Sequence, residues 1–237
     1  MPAFKQRSYK KELLDGNDIP FKDIKRNMQE LDFINRKLGG HDITLDGIVA
    51  LIQQTPTFNR QLKIVEIGCG GGDNLRAVNE WAQYIKMPVA LLGIDLNADC
   101  IAFAQSQKRN KDIQFIHSDY GLTAFETKPD IIFSSLFCHH FTDQELVKQL
   151  QWMKEKSKVG FFINDLHRHP LAYHSIKLLT RLFSKSYLVK NDAPLSVQRG
   201  FTRADWQRLF RQAGIEEYTC TWRWAFRWLV TCNNYAN

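Results

Sequence analysis

Several things are missing from this chain, and each absence removes a class of function. No stretch of the 237 residues approaches the roughly 18 consecutive apolar positions of a membrane span. The opening MPAFKQRSYKKELL is charged and lacks a continuous apolar core, which predicts no secretory signal. The five cysteines (Cys69, Cys100, Cys138, Cys220 and Cys232) are odd in number, scattered, and form no Cys-x-x-Cys pair. That argues against a disulfide framework and a zinc site, and predicts reduced thiols in a cytoplasmic protein. The net charge of +7 comes without a dense Lys/Arg block carrying interleaved aromatics, which argues against a nucleic-acid partner. No internal repeat or low-complexity run is present. With 44% hydrophobic and 24% charged residues, the composition is that of a folded domain.

The remaining pattern is regular. Residues 1–20 are polar and predict a flexible tail or loosely held arm. From Phe21 to Leu38, the positions Ile24, Met28, Leu31, Ile34 and Leu38 recur at helical spacing and stop at Gly39-Gly40. A second helix is expected from about Thr44 to Gln54, before Thr55-Pro56. Strands then alternate with helices: Lys63–Ile67, Val89–Asp95, Ile113–His117, Ile131–Ser134 and Val159–Asp165 as strands. Helices are expected over Asn74–Ile85, after an Asn97 N-cap to about Arg109, from the Thr142 capping box to about Lys156, and from Thr202 to Gly214. Two closing β runs, Glu217–Trp222 and Phe226–Thr231, leave no room for a crossover helix and predict an antiparallel hairpin. The class is α/β, with a mainly parallel sheet whose ligands sit outside the carboxyl ends of its strands. Two units are expected: residues 1–58 as tail and N-terminal helical cap, and 59–237 as the ligand-binding domain, with a helical lid at about 170–200.

The central motif is Val65-Glu66-Ile67-Gly68-Cys69-Gly70-Gly71-Gly72-Asp73. Glycines at such a turn let backbone approach a nucleotide-like ligand. The loop lacks the Gly-Lys-Ser/Thr ending of a phosphate-binding P-loop, and Asp73 stands where a dinucleotide fingerprint has Gly or Ala. Glu66 and Asp73 together predict an acidic rim. Such a rim repels a pyrophosphate and suits a cationic ligand. S-adenosylmethionine (SAM), with an ammonium, a sulfonium and no phosphate, fits. Asp95 ends the next strand, where a carboxylate can accept from ribose hydroxyls. Asp119 follows the third strand, where it can accept from the adenine amino group while Tyr120 or Leu96 covers a ring face.

Glu-Ile-Gly-Cys-Gly-Gly-Gly, Gly-Ile-Asp-Leu and Ser-Asp-Tyr resemble the successive cofactor motifs of class I SAM-dependent methyltransferases. Pro129 to Ser135 is similar to their fourth motif, and Leu136-Phe137-Cys138-His139-His140-Phe141 resembles the turn of their small-molecule branch. The resemblance spans roughly residues 60 to 235. It implies a doubly wound, seven-stranded, Rossmann-like sheet with the last strand inserted antiparallel, SAM as cofactor and S-adenosylhomocysteine as product. It also implies cofactor contacts at Glu66, Gly68, Cys69, Gly70, Gly72, Asp95, Leu96, Ser118, Asp119, Tyr120 and Ser135. The flanking segments 35–41 and 192–201 are similar to a bacterial subgroup often associated with secondary metabolism.

Methyl transfer needs an aligned nucleophile, and an oxygen nucleophile needs somewhere for its proton to go. His139 and His140 follow the fourth strand and are the candidate base, with at most one of the pair facing the acceptor because adjacent residues point apart. Asn164 to Pro170 places His167 and Arg168 past the fifth strand as candidate acceptor contacts, joined by Tyr173 on the lid and by Arg36 and His41 at the end of the first helix. Spacing and ligand number there do not suit zinc, so no metal is expected. Trp222, Trp224, Phe226 and Trp228 are expected to pack in the sheet core rather than around a substrate. The absence of an Asp/Asn-Pro-Pro-Tyr/Phe run after the fourth strand argues against methylation of amide or base nitrogens. The expectation is therefore methyl transfer to a small-molecule acceptor, at an aromatic hydroxyl or a carboxylate oxygen. The alternatives are an RNA methyltransferase, a nicotinamide-dependent oxidoreductase, which Glu66 and Asp73 oppose, and a non-catalytic SAM-binding protein. No oligomeric state is legible.

Overall fold

The computed structural model describes residues 4–16, 18–54 and 60–235. The expected Thr55-Pro56 break and the boundary at 58/59 lie outside the described residues. Seven strands form one sheet: β1 (Leu62–Ile67), β2 (Val89–Asp95), β3 (Gln114–His117), β4 (Ile131–Ser135), β5 (Gly160–Leu166), β6 (Thr219–Arg223) and β7 (Arg227–Asn233). Their order is β3-β2-β1-β4-β5-β7-β6. The first five are parallel, and β7 enters antiparallel between β5 and β6. The order reverses beside β1, so β1 and β4 diverge to opposite sides and open a crevice at their carboxyl ends.

Among the described residues, eight α-helices cover the sheet and the carboxyl ends of its parallel strands: α1 (Phe21–Lys37), α2 (Gly40–Ile52), α3 (Asp73–Tyr84), α4 (Ala98–Ser106), α5 (Asp143–Lys156), α6 (Pro170–Phe183), α7 (Tyr187–Arg199) and α8 (Arg203–Gln212). One sheet face packs Leu146, Leu150 and Met153 of α5 against Trp206, Leu209 and Phe210 of α8. The other packs Ile43, Ile48 and Leu51 of α2 beside Leu75 and Val78 of α3. Ile24 and Met28 of α1 meet Cys100 and Phe103 of α4 in a smaller cluster.

Three differences from expectation have local causes. Gly39 adopts a left-handed turn that sends the chain straight into α2, which begins at Gly40 rather than near Thr44. The segment expected as a lid forms two helices, and Leu179, Leu182 and Phe183 of α6 are exposed. Of the hairpin aromatics, only Trp228 is buried outright. Trp222 is partly exposed, and Trp224 lies in the exposed turn between β6 and β7.

The arm differs most. Residues 4–16 lie against the body of the protein, with Arg7 and Glu12 both buried. Arg7 donates to the Arg199, His139 and Phe141 carbonyls and to Asp143 Oδ1 at 2.7 Å, with its guanidinium 4.3 Å from the centre of the Phe201 ring. Asp192 of α7 accepts from the Leu13 and Leu14 amides, and Arg199 donates to the Lys10 carbonyl. The loosely held arm expected from its polarity is instead a docked strap.

Candidate active site

The glycine loop is stitched to β2. The Gly68 and Cys69 amides both donate to the Ile94 carbonyl, at 2.8 and 3.1 Å. The Gly70 amide donates to Asp95 Oδ2 at 2.8 Å, and the Asn97 amide to Asp95 Oδ1 at 2.8 Å. Gly68 and Gly70 have φ of +68° and +50°. A Cβ on Gly68 would lie 2.1 Å from the Phe137 ring, whereas one on Gly70 would meet only Met28 Sδ, at 3.4 Å. The first glycine is thus demanded by packing, and the second leaves open space over the loop. The Cys69 thiol is buried and its amide is already paired, so its contribution is to the loop itself.

Glu66 lies beneath the loop, 1% exposed. Asn74 and the Leu75 amide lie beside it and favour its ionised form, yet Oε2 has no partner. Burial pushes its pKa well above the carboxylate range, and the nearby Asp73 and Asp95 charges push it further. Burial also raises Asp95, against the two amides that favour its ionised form. Asp73 departs from the expected acidic rim. Its carboxylate turns away to accept from His41 Nε2 at 2.8 Å and Asn35 Nδ2 at 2.9 Å, and these partners hold its pKa down against burial. The acidic pair at the loop is therefore Glu66 and Asp95.

Two further features suit a ligand with a nucleoside. Leu96, beside Asp95, is 72% exposed. Ser135, at the end of β4, is buried with Oγ unpartnered. Asp119 is exposed, with Oδ1 holding the Gly121 amide, and Ser118 Oγ donates to the Asp119 carbonyl. Tyr120 is half-buried and packs edge-on against Phe137, Phe141 and Trp152, with its hydroxyl pKa raised by burial. A cleft of about 370 Å³ opens between α1, α3 and the end of α4; Gly71 and Asp73 line it, but Asp95, Asp119 and Ser135 do not.

The histidine turn is built differently from the expectation of a free base. His139 is buried, with Nδ1 2.8 Å from Asp165 Oδ1 and Nε2 3.4 Å from Glu12 Oε1. Burial lowers its pKa, but the Asp165 and Glu12 carboxylates more than offset this and lift it to about 9. A ring already protonated, with both nitrogens facing carboxylates, cannot take a proton from an acceptor near neutral pH. His140 is partly exposed, with Nδ1 3.1 Å from Asp15 Oδ1 and Nε2 3.8 Å from Glu12 Oε2. Sequence reasoning missed Glu12, Asp15 and Asp165. An HHF turn signals the pair of rings, but nothing local signals partners 26 residues downstream or 125 residues upstream.

The acceptor candidates scatter. Arg168 is buried and fully employed by the Phe4 and Gly200 carbonyls and Asp205, so it anchors the fold rather than an acceptor. Arg36 pairs with Asp32 on the surface of α1, and His41 belongs to Asp73. Tyr173 is buried against Phe4, Val197 and Phe226. His167 packs among the rings of His169, Phe226 and Trp228, edge-on to the last, and burial lowers its pKa to about 4, leaving a neutral ring. Its buried Nδ1 has no partner. Among the described residues, two groups could converge on a cation: Glu12 with His139 and His140, and Asp32 with His41 and Asp73. No helix among them is long and apolar enough to cross a membrane.

Residues 64–160 match the family described as methyltransferase domain. Among solved structures, the fold is similar to that of the plantazolicin methyltransferase BpumL in complex with SAH, at 18% identity over 85% of this chain and 72% of that one, with a TM-score of 0.58. Human N-acetylserotonin methyltransferase in complex with SAM aligns at 16% identity over 90% of this chain and 56% of its own, with a TM-score of 0.62. Magnesium protoporphyrin IX methyltransferase from Synechocystis PCC 6803, with bound SAH, aligns at 16% identity over 85% and 86%, with a TM-score of 0.53.

Proposed function

We propose, for a chain whose residues 64–160 belong to the methyltransferase-domain family and whose fold is the class I methyltransferase fold, that it transfers a methyl group from SAM to an oxygen of a small molecule. The observation that carries the cofactor assignment is the acidic pair at the loop. Glu66 is buried with an unpartnered oxygen, and Asp95 is held by two amides with lone pairs to spare. Among the described residues, no Lys or Arg pairs with either. A ligand that brings positive charge and hydroxyl donors completes this site, whereas a pyrophosphate would be repelled by it. SAM, held by human N-acetylserotonin methyltransferase where the other two named proteins hold its product SAH, supplies an electrophilic methyl on a sulfonium.

This chain's residues bind and align. Asp95 accepts from ribose hydroxyls, Leu96 offers an apolar face to the base, and the open side of Gly70 admits the ligand against the backbone. Ser135 Oγ, unpartnered at the end of β4, donates toward the polar end of the cofactor. The acceptor lies near the histidine turn, between the strap and α7. Positioning and water exclusion there supply much of the rate. Oxygen is favoured over nitrogen as the acceptor because His140, partly exposed and backed by Asp15, can receive the proton of a hydroxyl, whereas the chain has no Asn/Asp-Pro-Pro run that would orient an amide.

Calorimetry tests the reading. SAM and S-adenosylhomocysteine should bind and NADH should not; binding of NADH alone would reverse the assignment. Asp95→Asn should weaken SAM by about 1–3 kcal/mol, the worth of a lost charge-assisted hydrogen bond in a buried site.

A further inference from the structure

We propose that Glu12, His139 and His140 form a binding site for one divalent transition-metal ion, closed by the N-terminal strap. Three observations carry it. First, the two imidazoles present the same nitrogen inward. His139 gives Nδ1 to Asp165 at 2.8 Å, and His140 gives Nδ1 to Asp15 at 3.1 Å. Both Nε2 atoms are left to converge on the Glu12 carboxylate, one facing each oxygen. A carboxylate on the outer nitrogen of a histidine fixes the tautomer and orients the lone pair of the inner one, the arrangement that supports histidine ligands to metals.

Second, the inner distances differ from the outer ones. The Nε2 atoms lie 3.4 and 3.8 Å from the Glu12 oxygens. These separations exceed a charge-assisted hydrogen bond, which spans about 2.7–2.9 Å. Two donors that each bind a shared ion at about 2.0–2.2 Å stand roughly 3.0–3.6 Å apart, close to what is found. Ser196 Oγ donates to Glu12 Oε1 at 2.7 Å and steadies the carboxylate.

Third, the charges are unbalanced. Glu12, Asp15 and Asp165 surround the two rings, and Arg199 is the guanidinium that reaches Glu12 and Asp15, at 4.0 Å from each. Arg7 is spent on Asp143. A dication that takes the place of the His139 proton would sit among these three carboxylates, with, among the described residues, only Arg199 near Glu12 and Asp15 and at a distance longer than a hydrogen bond. The rival group of Asp32, His41 and Asp73 lacks these features. His41 Nε2 makes a hydrogen bond of ordinary length to Asp73, and Asp32 is taken by Arg76 at 2.7 Å.

Two imidazoles and one carboxylate, with the partly exposed edge of His140 as the open side, suit zinc, iron(II), manganese(II) or cobalt(II) rather than magnesium or calcium. On the methyl-transfer reading above, an acceptor oxygen on that ion would lose its proton more readily. This consequence rests on that reading, and the site itself does not.

The test is a titration of the chelator-treated full-length protein with Co²⁺. One equivalent should bind and give visible d–d absorption, which Zn²⁺ should bleach. His140→Ala leaves the His139–Asp165 pair in place and should weaken Co²⁺ binding by more than about tenfold; Asp15→Asn, acting through His140, should weaken it by about tenfold. Glu12→Gln should behave like His140→Ala. His41→Ala should leave binding unchanged, with circular dichroism confirming that each variant is folded. No visible band at saturating Co²⁺, equal affinity in His140→Ala, or loss of binding in His41→Ala would each overturn the assignment. SAM calorimetry on the same samples reads the methyl-transfer proposal separately.

Discussion

At the scale of single residues, Glu66 illustrates a site group that costs the empty protein stability. It is 1% exposed, one oxygen lacks a partner, and burial lifts its pKa well above the carboxylate range. An acid whose folded pKa exceeds its unfolded value binds protons more tightly when folded. The folded state is then penalised progressively as pH rises from the unfolded value, about 4.3, toward the raised one, and fully above it. Glu66→Gln removes the charge but keeps an acceptor for Asn74 and Leu75. Urea unfolding of the free protein should show this variant more stable by about 1 kcal/mol or more at neutral pH, with the gain vanishing below about pH 4. The same substitution should weaken SAM. A variant that is no more stable at neutral pH would mean that Glu66 is paired in solution. The type and place of Glu66, Asp95 and the glycines were legible because local spacing fixes them at successive strand ends. The direction of Asp73 was not, since it depends on Asn35 and His41 of the N-terminal helices.

At the scale of elements, the glycine loop joins β1 to α3 under two different constraints. Gly68 is pressed against Phe137, while Gly70 faces space. Gly68→Ala should therefore destabilise the fold by more than about 2 kcal/mol, since strain from a positive φ adds to overlap with an aromatic ring. Gly70→Ala should cost only about 1 kcal/mol in stability, the strain alone. It should nevertheless abolish detectable SAM binding, because the new methyl enters the ligand's space. Thermal melts and calorimetry on the two variants separate the effects; equal stability losses would contradict this division. Most elements were readable from periodicity and caps. The capping box at Thr142 and the Asn97 cap both appear as expected, with Asn97 accepting from the Asp99 and Cys100 amides. The α6–α7 segment was harder to read, because helical spacing in α6 says that a stripe exists and not which neighbour covers it. Leu178, Leu182 and Phe183 remain exposed while Tyr173 of the same helix is buried.

At the scale of the whole molecule, the decisive contacts join regions that local patterns treat as independent. The strap reaches Asp143 across 136 residues and Arg199 across 192. Its polar sequence reads as a solvated tail, because charges usually are; here Arg7 is buried only because three backbone carbonyls, Asp143 and the Phe201 ring await it. The docked strap also brings Glu12 to the histidine turn, so the proposed metal site is complete only when the strap is in place. Arg7→Ala should loosen the strap without unfolding the domain, since the two main core clusters contain no residue before Ile43. A loss of about 1–3 kcal/mol of local stability converts to roughly 5–150-fold more time undocked. Limited trypsin digestion should then cleave after Lys10 or Lys11 faster by that factor in Arg7→Ala than in the unmodified protein, while the remainder of the chain resists equally in both. Equal cleavage rates would mean that the strap is already undocked in solution, and Glu12 would then no longer be held beside His139.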